Sequence, residues 1–328
     1  MAYIDENGLA EFTAKIKAYL DSKLQPTPPE PEEEYFLTFS SPNSFTLNVV
    51  DNQKYWDGTL ETSTDKTNWN EWNGTSAVSS SNDGKLYLRG TSNTLITGQN
   101  ASASTKAWIL TGSNISCSGN IENLLDYATV QNGNHPPMAE RCFYALFINN
   151  TALISAPDML ATTLTRECYR IMYQGCSNLV TAPEELPALA DAGASYYQMF
   201  KDCSSLVRPP KIMLTSFYSS LGCLGMFENC VELIALPKLY SLELKASKVF
   251  TTITGDYVKM FNGCSKIKLS ETPSAEYINE YRIPYTGTGT VNATGGADPL
   301  SNMFTGTGGT LTGTPIINTT YYTSNEVI

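Results

Sequence analysis

The sequence predicts a mainly β protein with short helices, in which an N-terminal helix and a β-sandwich domain precede a solenoid of stacked repeats. A helical pattern over residues 1–25 is followed by a proline- and glutamate-rich linker, residues 26–34. Residues 35–116 contain short runs in which apolar and polar residues alternate, the pattern of β-strands. Over residues 117–328 a string of the type MFKDCSSL recurs, at first every 26 or 27 residues, and such periods are typical of stacked repeats.

The N-terminal segment has the spacing of an amphipathic helix. With about two heptads it is too short to be stable alone in water. We therefore expect it to pack on sister chains or on a larger particle, and folding back onto its own domain is the alternative. The stretch QPTPPEPEEE that follows forms a stiff, extended spacer. The apolar residues of this predicted anchor are Leu9, Phe12, Ile16 and Tyr19.

Four runs within residues 35–116 predict short strands: YFLTF, SFTLNVV, KLYLRG and AWILTG. Turn-forming clusters such as SSSNDGK separate them, and several such strands in succession are typical of a β-sandwich. Core packing is the simpler role for the tryptophans of this region, and an aromatic platform that stacks on sugars is the alternative. These tryptophans are Trp56, Trp69, Trp72 and Trp108.

Four repeat copies share a methionine, an aromatic residue, a small residue and a cysteine at fixed offsets. A single copy cannot bury its apolar side, so neighbouring copies must stack and equivalent side chains then meet. In such a stack a cysteine is a compact buried residue, and we favour this role over a disulfide or a zinc ligand. The small residues Gly175, Asp202, Asn229 and Gly263 suit turns with unusual backbone angles. The cysteines that follow them are Cys176, Cys203, Cys230 and Cys264.

The run CYRIMYQGCSNLVTAPEELPA, which begins at Cys168, resembles the BspA-like leucine-rich repeats found in surface proteins of gut and oral bacteria and in phages that infect them. Five copies cover residues from about 140 to 273, and a degenerate sixth follows. The segment before them is similar to the β-domain that often precedes such arrays. The start, MAYIDENGLAEFTAKIKAYLDSKL, resembles phage structural proteins, particularly fibres. The resemblance implies a non-enzymatic binding protein of a virion, assembled as a homotrimer.

Positions beside the prolines and before the methionines change in size and charge from copy to copy, whereas the surrounding frame stays uniform. A uniform frame that presents a changing row is typical of a binding surface with many shallow contacts. Taken singly, each of these residues fits a solvated surface position as well. The row as a whole favours binding. The candidate binding residues are Asp158, Arg170, Thr181, Glu184, Tyr197, Arg208, Lys211, Lys238 and Lys259.

The sequence contains little catalytic chemistry. His135 is the only histidine, and no paired base accompanies it. The glycine-rich runs lack the lysine of a phosphate-binding loop, and no cysteine or histidine cluster has the spacing of a metal site. We therefore expect no enzyme activity, no catalytic residues, no metal and no cofactor. Paired carboxylates such as Glu184 and Glu185 leave a carbohydrate-active enzyme open, because sequence cannot place them at the separation that glycosidases use.

Charge and hydropathy exclude further classes of partner. The net charge of -11 over 328 residues argues against nucleic acid, and no run approaches the ~20 apolar residues that would insert into a membrane. The N-terminus has no secretory signal, which favours release by lysis over a signal that has been removed. We expect a phage fibre or decoration protein on the virion surface, which binds virion proteins through its N-terminus and a host cell-surface glycan or protein through its repeat face. The alternative is a bacterial cell-surface adhesin of the same repeat class, located outside the cell.

Overall fold

The chain divides into two compact units, Met1–Glu34 and Tyr35–Ile328. The predicted helix with its anchor residues, and the linker after it, lie outside the residues that the structure describes. The described part is mainly β with few helices, which confirms this part of the predicted fold class. The computed structural model describes residues 35–97, 107–215, 221–237, 246–249, 252–255, 257–270, 302–309, 321–322 and 326–327.

The strands of the described residues are short. They are β1 (Leu37–Ser40), β2 (Thr46–Val49), β3 (Thr59–Ser63), β4 (Asn70–Glu71), β5 (Val78–Ser79), β6 (Lys85–Thr91), β7 (Trp108–Thr111), β8 (Ile115–Ser118), β9 (Leu153–Ser155), β10 (Glu185–Leu186), β11 (Lys211–Ile212), β12 (Ala235–Leu236), β13 (Ala246–Val249), β14 (Thr252–Gly255), β15 (Lys268–Ser270), β16 (Gly308–Gly309), β17 (Tyr321–Tyr322) and β18 (Glu326–Val327). A 3-10 turn (Val50–Asn52) follows β2, and helix α1 (Asn123–Gln131) follows β8.

The strands ahead of the repeats form two sheets, in the orders β4-β3-β6-β1-β8-β9 and β5-β2-β7. All neighbours are antiparallel except β8 and β9, which are parallel. Buried and more exposed residues alternate along β1, β2 and β8, as expected of strands with one face in a core. Leu37 and Phe39 of the first sheet and Leu47 and Val49 of the second belong to the same hydrophobic core.

Strand β8 links these sheets to the repeats. It pairs antiparallel with β1 and parallel with β9, the first strand of the repeat region. It also crosses position 116, where the sequence analysis ended the β-domain, so the sheet continues across that position. The buried core contains residues on both sides of it, from Leu37 to Phe304. The first repeat copy therefore begins on the edge of an existing sheet, which supplies partners for its backbone.

Helix α1 packs closely against β6 at Gly90. A Cβ atom at Gly90 would lie 1.7 Å from the carbonyl oxygen of Leu124, so only glycine permits this approach. Asn93, buried after β6, donates from Nδ2 to the carbonyls of Thr59 at 2.7 Å and of Leu124 at 2.9 Å. These contacts fix α1 on the sheet ahead of the first repeat copy.

The repeat copies stack through their backbones. The aromatic residue that follows each anchor methionine or leucine donates its N–H to the carbonyl of the next anchor, as Phe147 does to Met172 at 2.9 Å and Phe261 to Met303 at 3.0 Å. Every second N–H in these turns bonds to the next copy, and the intervening ones bond three residues back, as Met172 does to Tyr169. The anchors are Leu146, Met172, Met199, Met226, Met260 and Met303.

Residues with left-handed backbone angles recur every fourth position in these turns. Glu167 (φ 57), Ile171 (φ 50) and Gly175 (φ 77) form one such series. The four small residues before the repeated cysteines all have φ between 62 and 77, which confirms their predicted role in turns. A Cβ atom at Gly175 would also lie 2.1 Å from Oδ1 of Asn149 in the previous copy.

Side chains at equivalent positions form columns. Six aromatic rings stack face to face with centroids 5.3–5.6 Å apart and planes within 23°. Trp108 and Phe39 each contact the first ring edge-on at 6.2 Å. All eight cysteines are buried free thiols, which confirms the burial predicted for the repeated ones. Each repeated thiol lies 2.9–3.1 Å from the carbonyl oxygen of the previous ring residue. The stacked rings are Phe147, Tyr173, Phe200, Phe227, Phe261 and Phe304.

Candidate binding groove

Three successive repeat copies present chain segments side by side. Parallel β-bridges join Ser155 to Thr181 and Thr181 to Arg208, and the N–H of Ala156 donates to the carbonyl of Thr181 at 2.9 Å. Because such segments lie ~4.8 Å apart, equivalent side chains form a row. Backbone pairing between these segments ends at the prolines that follow them, since proline has no N–H to donate. Pairing between the copies then resumes in β10 and β11.

A groove of about 740 Å³ runs across these segments. Its lining includes four small apolar side chains, here called its floor: Ala156, Val180, Ala182 and Val207. Val180 is 45% exposed, so the chain's own atoms leave this floor open to a ligand. Polar side chains border the floor in every copy. They are Ser155, Asp158, Thr181, Glu184, Arg208 and Lys211.

The charges of the groove are separated along its length. Backbone bonds hold Asp158 at one end, where its N–H donates to Gly119 at 3.0 Å and its carbonyl accepts from Ile121 at 2.9 Å. Burial raises the pKa of the Asp158 carboxyl above its ordinary value, and the negative charge of Glu184 raises it further. Lys211 Nζ lies 3.7 Å from Glu184 Oε1, and both side chains are exposed. The groove is therefore acidic toward β8 and basic toward β11.

A second set of charged side chains lies along the turns. Glu167 is buried and is contacted by Arg141 Nε at 2.7 Å and by Arg166 Nη2 at 3.0 Å. Burial alone would raise the pKa of Glu167, but the hydrogen bond from Arg141 and the charges of the three arginines hold that pKa below its ordinary value. Arg170 lies 3.7 Å from Glu167 and stacks its guanidinium 4.2 Å from the ring centre of Tyr197. One buried carboxylate thus organises an arginine cluster.

Arg170 and Tyr197, both predicted to bind, therefore lie in this arginine cluster and do not line the groove. Lys259 lies 4.0 Å from Glu228 and is not among the residues that line the groove. Lys238 lies outside the described residues. The other five of the nine predicted binding residues come together along the groove: Asp158, Thr181, Glu184, Arg208 and Lys211.

Glu167 was not among the predicted site residues, although the sequence contains a usable signal for it. Glu167 precedes its anchor Met172 by five residues, and Arg141 precedes its anchor Leu146 by the same number. Opposite charges at one offset of neighbouring copies meet because stacking superimposes them. Comparison of charges between copies, offset by offset, would have found this ion pair.

His135 has a structural partner. Its Nδ1 lies 2.9 Å from Oε2 of Glu122, and Glu122 is completely buried next to the start of α1. Within the described residues, no three histidine, cysteine, aspartate or glutamate side chains gather as metal ligands would. No helix in this part of the chain combines the length and the apolar character that a bilayer crossing demands.

Three of the four tryptophans belong to the core. Trp56, Trp72 and Trp108 are at most 3% exposed and pack in series, with ring centroids 5.2 and 5.6 Å apart. Trp69 is partly exposed, and the guanidinium of Arg89 lies 4.1 Å from its ring centre. The four tryptophans therefore form no exposed platform on which a sugar could stack.

The resemblance to a repeat family rests on the repeated string and its offsets. Comparisons of the chain with family models, with curated proteins and with solved structures return no match. The groove and the uniform stack that carries it are therefore the features that bear on function.

Proposed function

We propose that the chain is a non-enzymatic binding protein of a phage particle, a fibre or decoration protein whose groove holds a component of the bacterial host surface. The observation that carries this proposal is the convergence in one groove of five residues that were selected only because they vary between copies. These polar residues border an open apolar floor. A binding surface needs both, since apolar contact gives affinity and polar groups give specificity. The ring and cysteine positions behind them stay uniform, so the copies differ where a partner would make contact.

We further propose that the repeats form a BspA-like leucine-rich repeat solenoid that follows a β-sandwich. Three features support this reading: the stacked rings, the column of buried thiols and the backbone bonds that recur in each copy. Each joins a residue to its equivalent in the next copy, and contacts between neighbours alone are what define a solenoid. The bridged segments ahead of the prolines are then the exposed flank of the coils.

The N-terminal segment would attach the protein to the particle, as a trimer in the case of a fibre. Several copies on one particle would strengthen weak contacts, because a tethered second site experiences a high local concentration of ligand. The exposure of the groove at Val180 fits this use, since single sites need not bind tightly.

Immunogold electron microscopy tests the proposal against its main alternative. Antibodies raised against the full chain should label phage particles released from cells that carry the gene. Label confined to the envelope of bacteria that release no particles would favour the adhesin and overturn the virion proposal. Preimmune serum on the same grids is the control.

A carbohydrate-active enzyme is the second candidate, because two carboxylates border the groove. Asp158 has a pKa raised by burial and by Glu184, as a general acid would require. This candidate predicts that a glycan bound in the groove becomes shorter during incubation, whereas a binding protein returns it unchanged.

A further inference from the structure

We infer that the groove binds a segment of an acidic polysaccharide, with an anionic substituent seated at Arg208 and Lys211 and neutral sugar units toward Asp158. The inference rests on the proposed binding function and gives it a ligand class. Length, charge and the apolar floor of the groove each contribute to it.

The length of the groove matches a short run of sugars. It crosses four neighbouring chain segments: Cys117–Ser118, then the segments with Ser155, Thr181 and Arg208. Three steps of ~4.8 Å between neighbouring strands span about 14 Å, close to the length of three pyranose units in a linear polysaccharide. An extended peptide advances ~3.3 Å per residue, so the spacing of its side chains would not match the ~4.8 Å between neighbouring segments.

The basic end of the groove accepts an anion. The whole chain carries a net charge of -11, so a polyanion is repelled by most of the molecule and needs a local cationic site. Arg208 offers a planar fork of donors that fits carboxylate, sulfate or phosphate. Lys211 contacts Glu184 at 3.7 Å, but a pair between exposed side chains is worth little, so its ammonium can turn to a ligand.

The acidic end fixes the direction of the ligand. Asp158 repels an anionic substituent at this end, and its carboxylate accepts hydrogen bonds from sugar hydroxyls. Between the two ends, Ala156, Val180 and Ala182 provide an apolar floor on which the C–H faces of a sugar ring can lie. The three parts together select a glycan that is charged at one end of the bound segment and hydroxyl-rich at the other.

A glycan array provides the first measurement. The full chain is applied to immobilised acidic oligosaccharides that carry uronate, sulfate or phosphate groups, beside neutral oligosaccharides of the same lengths. We expect retention of acidic members and weaker binding as salt is raised. Equal retention of the two classes, or retention of neutral members alone, would show that the inference is wrong.

Two lysines allow a matched comparison on whichever acidic glycan binds. Lys211 and Lys266 have similarly exposed side chains (48% and 49%), and each makes an ion pair with an exposed glutamate. Lys211→Ala should weaken binding about tenfold, a change of ~1.4 kcal/mol, whereas Lys266→Ala should leave it unchanged. Asp158→Asn should strengthen binding, because it removes a repulsive charge. Equal effects of the two lysine variants would place the ligand outside the groove.

Failure of this inference can be told apart from failure of the proposed function. If particles are labelled but the array retains no acidic glycan, the protein keeps its virion role and the ligand class is wrong. If the chain binds the bacteria to which these particles attach, and protease treatment of the cells removes that binding while periodate does not, the groove holds a protein. Shortened glycans recovered from the array would support the enzyme instead.

Discussion

Cys176 and Cys264 illustrate what cysteine does in each repeat copy. Burial raises the pKa of both thiols to about 12. A thiol with such a pKa is protonated at neutral pH, so it is a poor nucleophile and a poor metal ligand. Cys176 instead donates from Sγ to the carbonyl of Phe147 at 2.9 Å. The cysteine therefore fills a narrow space and supplies one weak donor to the stack.

Glu167 makes the stability of the arginine cluster depend on pH. Its pKa in the folded chain lies below the ordinary value of about 4.3, so the folded chain binds its proton less readily than the unfolded chain does. The stabilisation from this carboxylate is complete above the ordinary value. It is lost as the pH falls through the lower pKa of the folded state. Asp158 and Asp191, whose pKa values are raised, contribute in the opposite direction.

Glu167→Gln should lower the free energy of unfolding at neutral pH by about 1.5–3 kcal/mol, because hydrogen bonds from arginine to a carboxylate are lost. The variant should also lose less stability than the wild type as the pH falls below about 4.3. Urea unfolding at several pH values measures both effects, and the comparison cancels the contributions of other carboxyls.

Glu140→Gln is the matched control for this measurement. The Glu140 side chain is 65% exposed and lies 3.9 Å from Arg166, so its removal should cost less than about 1 kcal/mol and leave the pH dependence unchanged. If both variants follow the wild-type pH profile, Glu167 does not have the lowered pKa on which this prediction depends.

At the scale of elements, the turns tolerate backbone angles that single residues avoid. Ile171 has φ 50, although a β-branched side chain makes this region cost roughly 1–2 kcal/mol. Its N–H donates to Tyr197 at 2.9 Å, and its carbonyl accepts from Gln174 at 3.2 Å. The same bonds recur in the next copy, so the stack holds each turn in place against local strain.

Asn150 joins the first repeat copy to β7. It occupies the offset that carries cysteine in the next four copies, but here the neighbouring segment is a strand edge. Asn150 Nδ2 donates to the carbonyl of Trp108 at 2.6 Å, and its Oδ1 accepts from the N–H of Leu110 at 2.9 Å. Trp108 in turn donates its N–H to Leu146 at 2.8 Å, as ring residues do in later copies. Asn150 therefore bonds the first repeat copy to the backbone of β7, at a position where later copies bond to one another through cysteine.

Asn150→Cys should destabilise the chain by about 1–3 kcal/mol, even though cysteine is the residue of later copies. The thiol can still donate to Trp108, but the buried N–H of Leu110 loses its acceptor. Thermal and urea unfolding measure the change. Asn178→Cys is the control, since Asn178 makes one exposed bond to Thr151 at 2.8 Å and should cost well under half as much. Equal losses of unfolding free energy would mean that the bonds from Asn150 to β7 contribute no more than the exposed bond of Asn178.

At the scale of the whole molecule, one core runs from the sheets into the repeats. Trp108 and Phe39 close the column of rings at one end, and Phe304 is the last stacked ring that the structure describes. The chain from Tyr35 onwards is one compact unit, separate from Met1–Glu34. Within the described residues, the core begins at Leu37 and reaches Phe304.

Deletion of residues 1–34 should leave a folded, soluble protein whose melting temperature stays within ~2 °C of the full chain. The shortened chain should no longer attach to particles, and light scattering should show a monomer in place of the trimer proposed for the full chain. Electron microscopy of particles incubated with each form measures attachment, with the full chain as control. Attachment of the shortened chain would rule out the N-terminal anchor.

Repetition along the chain is enough to show which residues become neighbours. Equal offsets in stacked copies superimpose, so the cysteine column, the small turn residues and the five groove residues followed from spacing alone. Contacts between residues at different offsets emerge only from the folded chain. They are the arginines around Glu167, the position of Tyr197 outside the groove, and the bonds from Asn150 to β7. These contacts depend on the path of the chain within a copy and on the edge of the sheet that precedes the first one, and neither leaves a periodic signal in the sequence.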